Sequence, residues 1–309
     1  MLATPMDILK EFPVRKSEAQ KQAFRTAVQA YVQKQGYNTA VENGRFGVRN
    51  LVIGDPEKAD YLVTAHYDTP ARSPFPNFCM PCNFALGLLR TLAMYLAMFA
   101  VGIIVSVVAA LVVGEWILPW AAVGSILCMD GLLLLGPANL SNVNDNSSGV
   151  ITLLEIARTL PENQQHKVCF VLFDLEEAGL IGSGVYRKAH KAATDRQLVL
   201  NLDCVGDGDH IRLFPTKKLL KDRKKCTSLY KACGYFGKKD ILVHEKRLCK
   251  YNSDQRRFPY GVGICALNRK KKLLYLSRIH TSKDTVLDIN NVNILRAALT
   301  TFICRDAVN

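Results

Sequence analysis

The chain has 309 residues, of which 49% are hydrophobic and 22% are charged. This composition excludes a disordered chain, and the length allows one large domain or two small ones with a core that needs no covalent cross-links. The formal net charge of +13 indicates an anionic neighbour, either nucleic acid or lipid head groups.

The cysteines and the first residues predict a chain that begins in the cytosol. The ten cysteines are scattered and form a single C-x-x-C, Cys79 to Cys82, whereas a structural zinc site needs four ligands. We therefore expect reduced, ordinary cysteines. The N-terminal residues contain no apolar run of signal-peptide length.

Helix and strand patterns alternate from the start of the chain. Residues 17–35 carry apolar side chains at helical spacing, with Ser17 as a candidate N-cap. Residues 50–54 and 61–66 are predicted strands. A helix followed by two strands indicates a mixed α/β domain rather than a helical bundle.

The next segment is the most apolar part of the sequence. Residues 91–114 are 24 positions without a charge, and a helix of that length is about 36 Å long, against a hydrocarbon core of about 30 Å. A second apolar run, residues 116–135, is interrupted by Pro119, Gly124, Asp130 and Gly131, and Asp130 lies near its end, where it can reach the membrane interface. The two runs predict a transmembrane helical hairpin inserted at residues 86–136, hereafter the apolar hairpin.

Both ends of the apolar hairpin are expected on one side of the membrane, because a single span would separate motifs that need each other. Its tip has no Lys or Arg, whereas Arg72 and Arg90 flank its beginning, so the positive-inside rule predicts a cytoplasmic main domain. Trp116 and Trp120 fit an interfacial belt at the tip. The alternative is a buried hairpin of a soluble protein, but runs this apolar are rare in soluble cores.

Strands and helices continue to alternate after the apolar hairpin. Helices are predicted over residues 150–160 and 182–190, and strands over 167–173, 197–202, 210–214 and 261–267. Several of these strands are apolar on both faces, which predicts an α/β fold with a mixed, largely parallel central sheet flanked by helices. We find no repeat or linker, so we expect one domain, residues 1–309, with the apolar hairpin inserted in it.

Two basic runs, residues 217–225 (KKLLKDRKK) and 269–272 (RKKK), are most simply solvated faces. Beside a membrane they could also contact anionic lipids, at about 1 kcal/mol per basic residue near the surface. Nucleic-acid binding is the weaker interpretation, because no recognised nucleic-acid module accompanies the charge.

Five segments place carboxylates or imidazoles near predicted strand ends, where an open α/β sheet presents its ligands. Each has an ordinary explanation when taken alone, such as a satisfied histidine, a helix cap or a surface pair. Together they supply two imidazoles and four or more carboxylates, a mixture suited to zinc. The segments are TAHYDT (His66, Asp68), NVNDNSSG (Asp145), FDLEEAGLIGS (Glu176, Glu177), LNLDCVGD (Asp203) and IHTSKDT (His280).

These segments, in this order, resemble the co-catalytic di-zinc aminopeptidases, whose family also includes glutamate carboxypeptidase-like enzymes and glutaminyl cyclases. The resemblance extends over residues 61–285 outside the apolar hairpin, and residues 253–267 (SDQRRFPYGVGICAL) resemble a late segment of that family. It implies a zinc exopeptidase-like fold and two Zn²⁺ ions.

The resemblance also implies a role for each residue. Asp145 would bridge the two zinc ions, with a cis peptide bond after it. His66 and Asp203 would complete one metal shell, and Glu177 and His280 the other. Glu176 would be the general base and Asp68 the partner of His66, a pairing that the two-residue spacing on an extended strand also permits.

Two departures from the family pattern concern the apolar hairpin and the residue before the last histidine. Related soluble enzymes have a much shorter connection where this chain has the hairpin. Some members place a tyrosine before the last histidine, where this chain has Ile279, and Tyr251 or a basic residue is a candidate substitute.

The sequence therefore predicts a membrane-anchored, cytoplasm-facing zinc aminopeptidase that acts on peptides and contacts lipid through residues 86–136. The alternatives are a carboxypeptidase, with Arg256, Arg257 or Arg278 for the substrate carboxylate, and a glutaminyl cyclase. A different class, a non-catalytic membrane-bound binding or scaffold protein, is disfavoured by a carboxylate, Glu176, that is not needed as a ligand. Protein partners, side-chain specificity and oligomeric state stay open.

Overall fold

The computed structural model describes residues 2–73, 77–245 and 251–305, with backbone only at positions 84, 118, 122 and 133. The strands within these ranges are β1 (Thr39–Asn43), β2 (Arg49–Ile53), β3 (Tyr61–His66), β4 (Phe78–Cys79), β5 (Val168–Phe173), β6 (Leu198–Leu202), β7 (His210–Pro215), β8 (Gly234–Phe236), β9 (Lys239–Val243), β10 (Gly261–Lys270) and β11 (Leu273–Ser277). The α-helices are α1 (Ile8–Glu11), α2 (Glu18–Gln33), α3 (Phe84–Val113), α4 (Leu118–Leu135), α5 (Gly149–Thr159), α6 (Glu162–Gln165), α7 (Ile181–Ala189), α8 (Lys191–Thr194), α9 (Lys217–Lys221), α10 (Arg223–Ser228) and α11 (Ile289–Arg305).

The strands form one mixed sheet in the order β1-β2-β5-β3-β6-β10-β7-β9-β8, with β11 and then β4 added beside β10. The four central strands β5, β3, β6 and β10 are parallel to their neighbours in this group. Their carboxyl ends therefore lie at one edge of the sheet, hereafter the carboxyl edge. The predicted fold class, a mixed and largely parallel sheet flanked by helices, is confirmed.

The central strands are buried on both faces, which explains their uninterrupted apolar sequence. Every residue of β5 and β6 is buried, and β3 is buried after its first residue. The helices α2, α5 and α11 contribute to the large core cluster against one face. Predicted and observed bounds of β3, β5 and β6 agree within one residue, whereas β10 extends three residues beyond its predicted end. Ser17 caps α2 as predicted, accepting a hydrogen bond from the Gln20 backbone N–H.

The apolar hairpin consists of α3 and α4, which pack against each other and are joined by a single turn, Glu115–Ile117. In the described part of the chain, one helix, Ala85–Val113, is long and apolar enough to cross a membrane by length and composition. A core helix passes the same test, but it would be mostly buried, whereas 17% of the most apolar window of this helix is buried. Leu111 and Val112 are 82% and 79% exposed, so the protein leaves this surface uncovered.

Both ends of the apolar hairpin join the domain at the carboxyl edge. An isolated bridge pairs Ala71 with Ala138, and β4 pairs with β11, the strand that precedes His280. The backbone N–H of Ser73 donates to the carbonyl of His280 at 2.8 Å. The segment that leads into the hairpin is thus hydrogen-bonded to the segment that carries one of the predicted site residues.

Candidate metal centre

Loops at the carboxyl edge carry the predicted site residues. β3 ends in His66, Asp203 directly follows β6, and a short turn after β5 carries Glu176 and Glu177. Because β3 lies between β5 and β6 and is parallel to both, these four side chains meet at the edge. His280 reaches the same place from the segment after β11.

Asp145 lies between two groups of candidate ligands. One group is His66, Asp145 and Asp203, and the other is Asp145, Glu177 and His280; in each, the donor atoms lie within 4.8 Å of one another. The two oxygens of Asp145 face different groups, Oδ1 lying 3.2 Å from His66 Nε2 and Oδ2 lying 3.0 Å from His280 Nε2.

The other ligand pairs are slightly further apart. His66 Nε2 lies 3.8 Å from Asp203 Oδ1, and His280 Nε2 lies 3.4 Å from Glu177 Oε2. The first group is buried, whereas the side chains of His280 and Glu177 are 30% and 16% exposed. The open side of the centre is therefore the side of His280 and Glu177.

Hydrogen bonds from neighbouring loops fix the turn that carries Asp145. The Asp145–Asn146 peptide bond is cis, as the family resemblance implied. The carboxylate of Asp284 accepts hydrogen bonds from the backbone N–H groups of Asn144 and Asp145, at 2.8 and 3.0 Å. Asn146 donates to the carbonyl of Leu202 at 2.9 Å, which ties the turn to β6. The polar residues of this turn therefore serve the backbone and leave the Asp145 carboxylate free to face the centre.

Asp68 holds the Glu176–Glu177 turn as well as facing His66. Its Oδ1 lies 3.4 Å from His66 Nδ1, and its two oxygens accept hydrogen bonds from the backbone N–H groups of Glu176 and Glu177 at 3.1 and 3.2 Å. Leu175, directly before the pair, has φ 53°, a region rare for residues other than glycine. After this bend, both glutamates face the centre, and an oxygen of each lies within 4.8 Å of the other and of a His66 nitrogen.

Several side chains in the centre have shifted pKa values. Burial raises the pKa of Glu177 to about 8, and burial also raises the pKa of Glu176, with Glu177 itself contributing. Burial opposes the charged imidazole of His280, but Glu177 and Asp145 outweigh it and raise the pKa to about 9. His66 behaves likewise, with Glu176 as the largest contributor to its raised pKa. The carboxylates thus repel one another, and protons on the imidazoles partly offset that repulsion.

A divalent cation would satisfy these groups better than protons do. Glu177 Oε1 is buried and has no hydrogen-bond partner in the described residues. Carboxylates and imidazoles are the donor set that zinc takes in catalytic sites, and sharing of one carboxylate by both groups suits a two-metal centre. The residues present therefore fit zinc.

A buried arginine lies behind the centre, and sequence reasoning missed it. Arg15 is 0% exposed; its guanidinium donates to the carbonyls of Tyr67 and Phe12 at 2.5 and 2.6 Å and to Ser147 Oγ at 3.1 Å. Burial lowers its pKa to about 10, with Asp68 and Asp145 opposing that shift, so it stays charged at neutral pH. No motif marks this arginine, because its partners are distant in sequence.

Other residues singled out from the sequence have roles in local structure. The Tyr251 hydroxyl donates to the backbone carbonyl of Asp203 at 3.1 Å. Arg278 pairs with Asp207 at 2.7 Å, and Arg257 donates to the carbonyl of Gly179 at 3.0 Å. Arg256 donates to Asn252. All three arginines proposed for a substrate carboxylate therefore already have protein acceptors.

The sequence matches peptidase family M28 over residues 132–302, which is more than half of the chain. The chain belongs to peptidase family M28. This match confirms the resemblance predicted from the five segments and assigns the protein to the metallo-exopeptidase hydrolases. Membership implies zinc as the metal and peptides as substrates.

Solved structures share the fold of this M28 peptidase at low sequence identity. The LapA aminopeptidase of Legionella pneumophila is 15% identical, with a TM-score of 0.58, over 99% of this chain and 68% of that one. A glutaminyl cyclase of Porphyromonas gingivalis is 14% identical, with a TM-score of 0.58, over 97% and 95%. A Zn-dependent exopeptidase of Parabacteroides distasonis is 16% identical, with a TM-score of 0.57, over 96% and 94%. No curated protein sequence matches the chain.

Proposed function

We propose that this M28 peptidase is a membrane-anchored aminopeptidase with two zinc ions at the carboxyl edge. Asp145 would bridge the ions, His66 and Asp203 would complete one shell, and Glu177 and His280 the other. The observation that carries this assignment is the pair of ligand groups that share Asp145, each of whose oxygens faces a different imidazole.

Bound zinc would supply a water acidified between the ions and an electrophile for the scissile carbonyl. Glu176 is the proposed general base: its carboxylate takes the proton of the attacking water and passes it to the leaving amine. Burial and the charge of Glu177 raise the pKa of Glu176, which makes its carboxylate a stronger base. Asp68 orients a proposed metal ligand, His66, through its imidazole, and it orients the proposed base, Glu176, through its backbone N–H.

Free N-termini are the favoured substrates because the described residues of the centre are rich in carboxylates, and the three arginines considered for a substrate carboxylate already have acceptors. Arg256, Arg257 and Arg278 each donate to a protein acceptor, which disfavours the carboxypeptidase alternative. A scaffold protein would have no use for Glu176 next to a metal-bound water. A glutaminyl cyclase remains the alternative with the same fold.

Activity on blocked peptides separates these possibilities. An aminopeptidase releases amino acids from free and C-amidated peptides, a carboxypeptidase from free and N-acetylated peptides, and a cyclase changes N-terminal glutamine without releasing it. Glu176→Gln should lower kcat/KM by about 10²–10⁴ while keeping the zinc content, because it removes the base and no proposed ligand. Glu162→Gln, at an exposed position of α6, is the matched control. Release from N-acetylated peptides only, or full activity of Glu176→Gln, would contradict the proposal.

The apolar hairpin is the proposed membrane anchor, and its exposed apolar surface supports that role. The uncharged part of α3 is long enough for a hydrocarbon core, and α4 has 18 residues, or about 27 Å. Arg72 and Arg90 near its beginning favour a cytoplasmic catalytic domain by the positive-inside rule.

Tryptophan fluorescence provides a direct test of insertion, because the chain's two tryptophans, Trp116 and Trp120, both lie at the tip of the apolar hairpin. In vesicles with brominated lipids, both should be quenched. For orientation, a membrane-impermeant maleimide should label Glu115→Cys from outside intact cells, and the unmodified chain controls for native cysteines. Unquenched tryptophans would exclude the anchor, and labelling only after permeabilisation would reverse the orientation.

The attachment of the apolar hairpin beside the open side of the centre favours substrates at the membrane surface. Ser73 bonds the His280 backbone, and Lys16 Nζ donates to the carbonyl of Leu134 near the end of α4. We expect the reconstituted enzyme to prefer a peptide whose C-terminus is anchored to the same vesicle over the identical free peptide. An equal or reversed preference would contradict this part of the proposal.

A further inference from the structure

We propose that the turn between β10 and β11, residues 269–272, is a second membrane contact that binds anionic lipid head groups. This inference rests on the proposed membrane anchor and adds to it. The turn, hereafter the basic turn, has the sequence RKKK, and all four residues are exposed. It would hold the carboxyl edge, and with it the metal centre, against the bilayer surface.

Strand register places the basic turn at the carboxyl edge. β10 pairs with the parallel strand β6 only through Ile264, which lies opposite Leu202, and then continues for six more residues to Lys270. At about 3.3 Å per residue, β10 extends roughly 20 Å past the last pair with β6. The basic turn therefore projects beyond the edge that carries the candidate ligands.

The same turn is directly linked to the apolar hairpin. β11 leads back from the basic turn and pairs with β4 at Leu276 and Cys79, five residues before α3 begins at Phe84. Lys272 and Leu276 are four residues apart on an extended strand, which is about 13 Å. Phe78 is 46% exposed and lies 6.3 Å from the Tyr275 ring, which places two aromatic rings between the basic turn and the hairpin. A lipid surface around the hairpin is thus close to the turn.

The charge of the basic turn is not neutralised by the protein. Among the described residues, none of Arg269, Lys270, Lys271 and Lys272 forms an ion pair, and Arg269 instead donates to the backbone carbonyl of Lys271. Four cations beside a membrane attract anionic lipid, each by a factor of about five in local affinity. Phosphate groups of lipids are therefore the partner that this surface fits.

The other basic run of the chain differs in its position in the fold. Helices α9 and α10 follow β7, which is antiparallel to β10 and ends at Pro215 opposite Val262, at the far edge of the sheet. Lys225 donates to the carbonyl of Arg196, and Lys218 and Lys225 lie 5.0 and 3.8 Å from the ring centre of Tyr260. This run is a matched internal control: basic, but remote from the apolar hairpin.

Lysine acetylation in vesicles tests the proposal on the full chain. The protein is reconstituted in phosphatidylcholine with or without phosphatidylglycerol, treated briefly with an acetylating reagent, and the modification is quantified per lysine by mass spectrometry. Lys270, Lys271 and Lys272 should react at least about five-fold more slowly with the anionic lipid, and high salt should remove the difference. Lys217 and Lys221 should react equally in both. Equal reactivity of the basic turn in the two lipids would overturn the proposal.

Variants and the tryptophans separate this result from that of the anchor. Replacing residues 269–272 by glutamine should lower the phosphatidylglycerol that co-purifies with the protein, whereas Lys217→Gln with Lys221→Gln should not. Loss of lipid in both variants, or in neither, would also overturn the proposal. Quenching of Trp116 and Trp120 reports the anchor independently: quenched tryptophans with an unprotected turn refute only the basic turn, and unquenched tryptophans refute the anchor itself.

Discussion

The metal centre and the apolar hairpin differ in which side chains they expose to solvent: the centre buries polar side chains, and the hairpin exposes apolar ones. In the centre, His66 and Asp145 are 1% and 3% exposed, although both are polar. In the hairpin, Leu111 and Leu135 are 82% and 85% exposed, although both are apolar. Each region would be costly in an isolated soluble protein, one through buried charge and the other through hydrated apolar surface.

The two regions also differ in what compensates them. Hydrogen bonds from Asp68 and Asp284 support the centre from within the protein, and a cation completes it. Within the described residues, the outer surface of the hairpin has no comparable protein cover, and the proposed bilayer would cover it instead. The difference teaches that one sequence can contain both buried polar side chains and exposed apolar side chains, provided that a cation binds the first group and an apolar environment covers the second. Changes that remove one partner should therefore affect one region and spare the other.

The largest effect is expected when the shared ligand is removed. Asp145→Asn keeps the shape of the side chain but removes the charge that faces both imidazoles. Since bound metal contributes several kcal/mol to the transition state, activity should fall by about three orders of magnitude or more, together with zinc content. Kinetics and metal analysis measure both. Asp195→Asn, at an exposed pair with Arg187, is the control. Two retained zinc ions would refute the bridging role.

Zinc affinity should depend steeply on pH because protons occupy the ligands of the metal-free centre. Burial raises the pKa of Glu177 to about 8, and the charges of Glu177 and Asp145 raise the pKa of His280 to about 9, so this pair holds at least one proton at pH 7. Zinc needs the deprotonated forms, so binding should release at least one proton, and affinity should rise about tenfold or more per pH unit below pH 8. Above about pH 9 the dependence should disappear. Calorimetry in buffers of different ionisation enthalpy counts the protons, and an affinity independent of pH would contradict the electrostatics described above.

A charge in the apolar hairpin should impair membrane insertion and leave zinc binding unchanged. Ile104 lies near the middle of α3 and is 63% exposed. Ile104→Asp should disfavour insertion by about 2.5–3.5 kcal/mol, or about a hundredfold, whereas Ile104→Val should not. Flotation with vesicles and tryptophan quenching measure insertion. Zinc content in detergent should be unchanged in both variants. Normal insertion of Ile104→Asp would mean that this surface does not face lipid.

Much of the fold could be predicted because the central strands carry strong local patterns. The strand over residues 61–66 was predicted with its observed bounds, and the continuous apolar run before Phe173 identified β5. The elements that were not predicted are the strands β1, β4, β8, β9 and β11 and the helices α1, α6, α8, α9, α10 and α11. Most of the missed strands are short or lie away from the centre of the sheet, where pairing with neighbours decides the structure and local pattern is weak.

The candidate site divides in a similar way. Residues such as His66 and Glu177 lie in recognisable segments at strand ends, so they could be predicted from the sequence. The fold brings these residues together. Asp284 stands within a segment that was quoted, IHTSKDT, yet its role for the Asp145 turn depends on backbone contacts that no pattern reveals. Arg15 has no local signal at all, because its bond to Ser147 spans 132 positions. Supporting residues are defined by the completed fold and not by their neighbours in sequence.

Arg15 should show the smallest effect among these changes, and it lies at the boundary between stability and metal binding. Its guanidinium joins the TAHYDT segment, through the Tyr67 carbonyl, to the NDNSSG turn, through Ser147. Arg15→Met should weaken zinc binding by about 10–100-fold, the usual cost of losing a residue that orients ligands, and it should also lower the unfolding temperature. Competition with a chelator measures the affinity.

A control is needed because any buried arginine contributes to stability. Arg25 is 3% exposed and donates to Glu18 and to the hydroxyl of Tyr67 in the TAHYDT segment, but no hydrogen bond in the described residues joins it to the NDNSSG turn. Arg25→Met should therefore lower the unfolding temperature with little change in zinc affinity. Arg15→Lys should keep the charge without the planar fork and fall between wild type and Arg15→Met. Both methionine variants should lose stability, but only Arg15→Met should also change the geometry of the centre. If the two variants weaken zinc binding equally, Arg15 acts only through general stability.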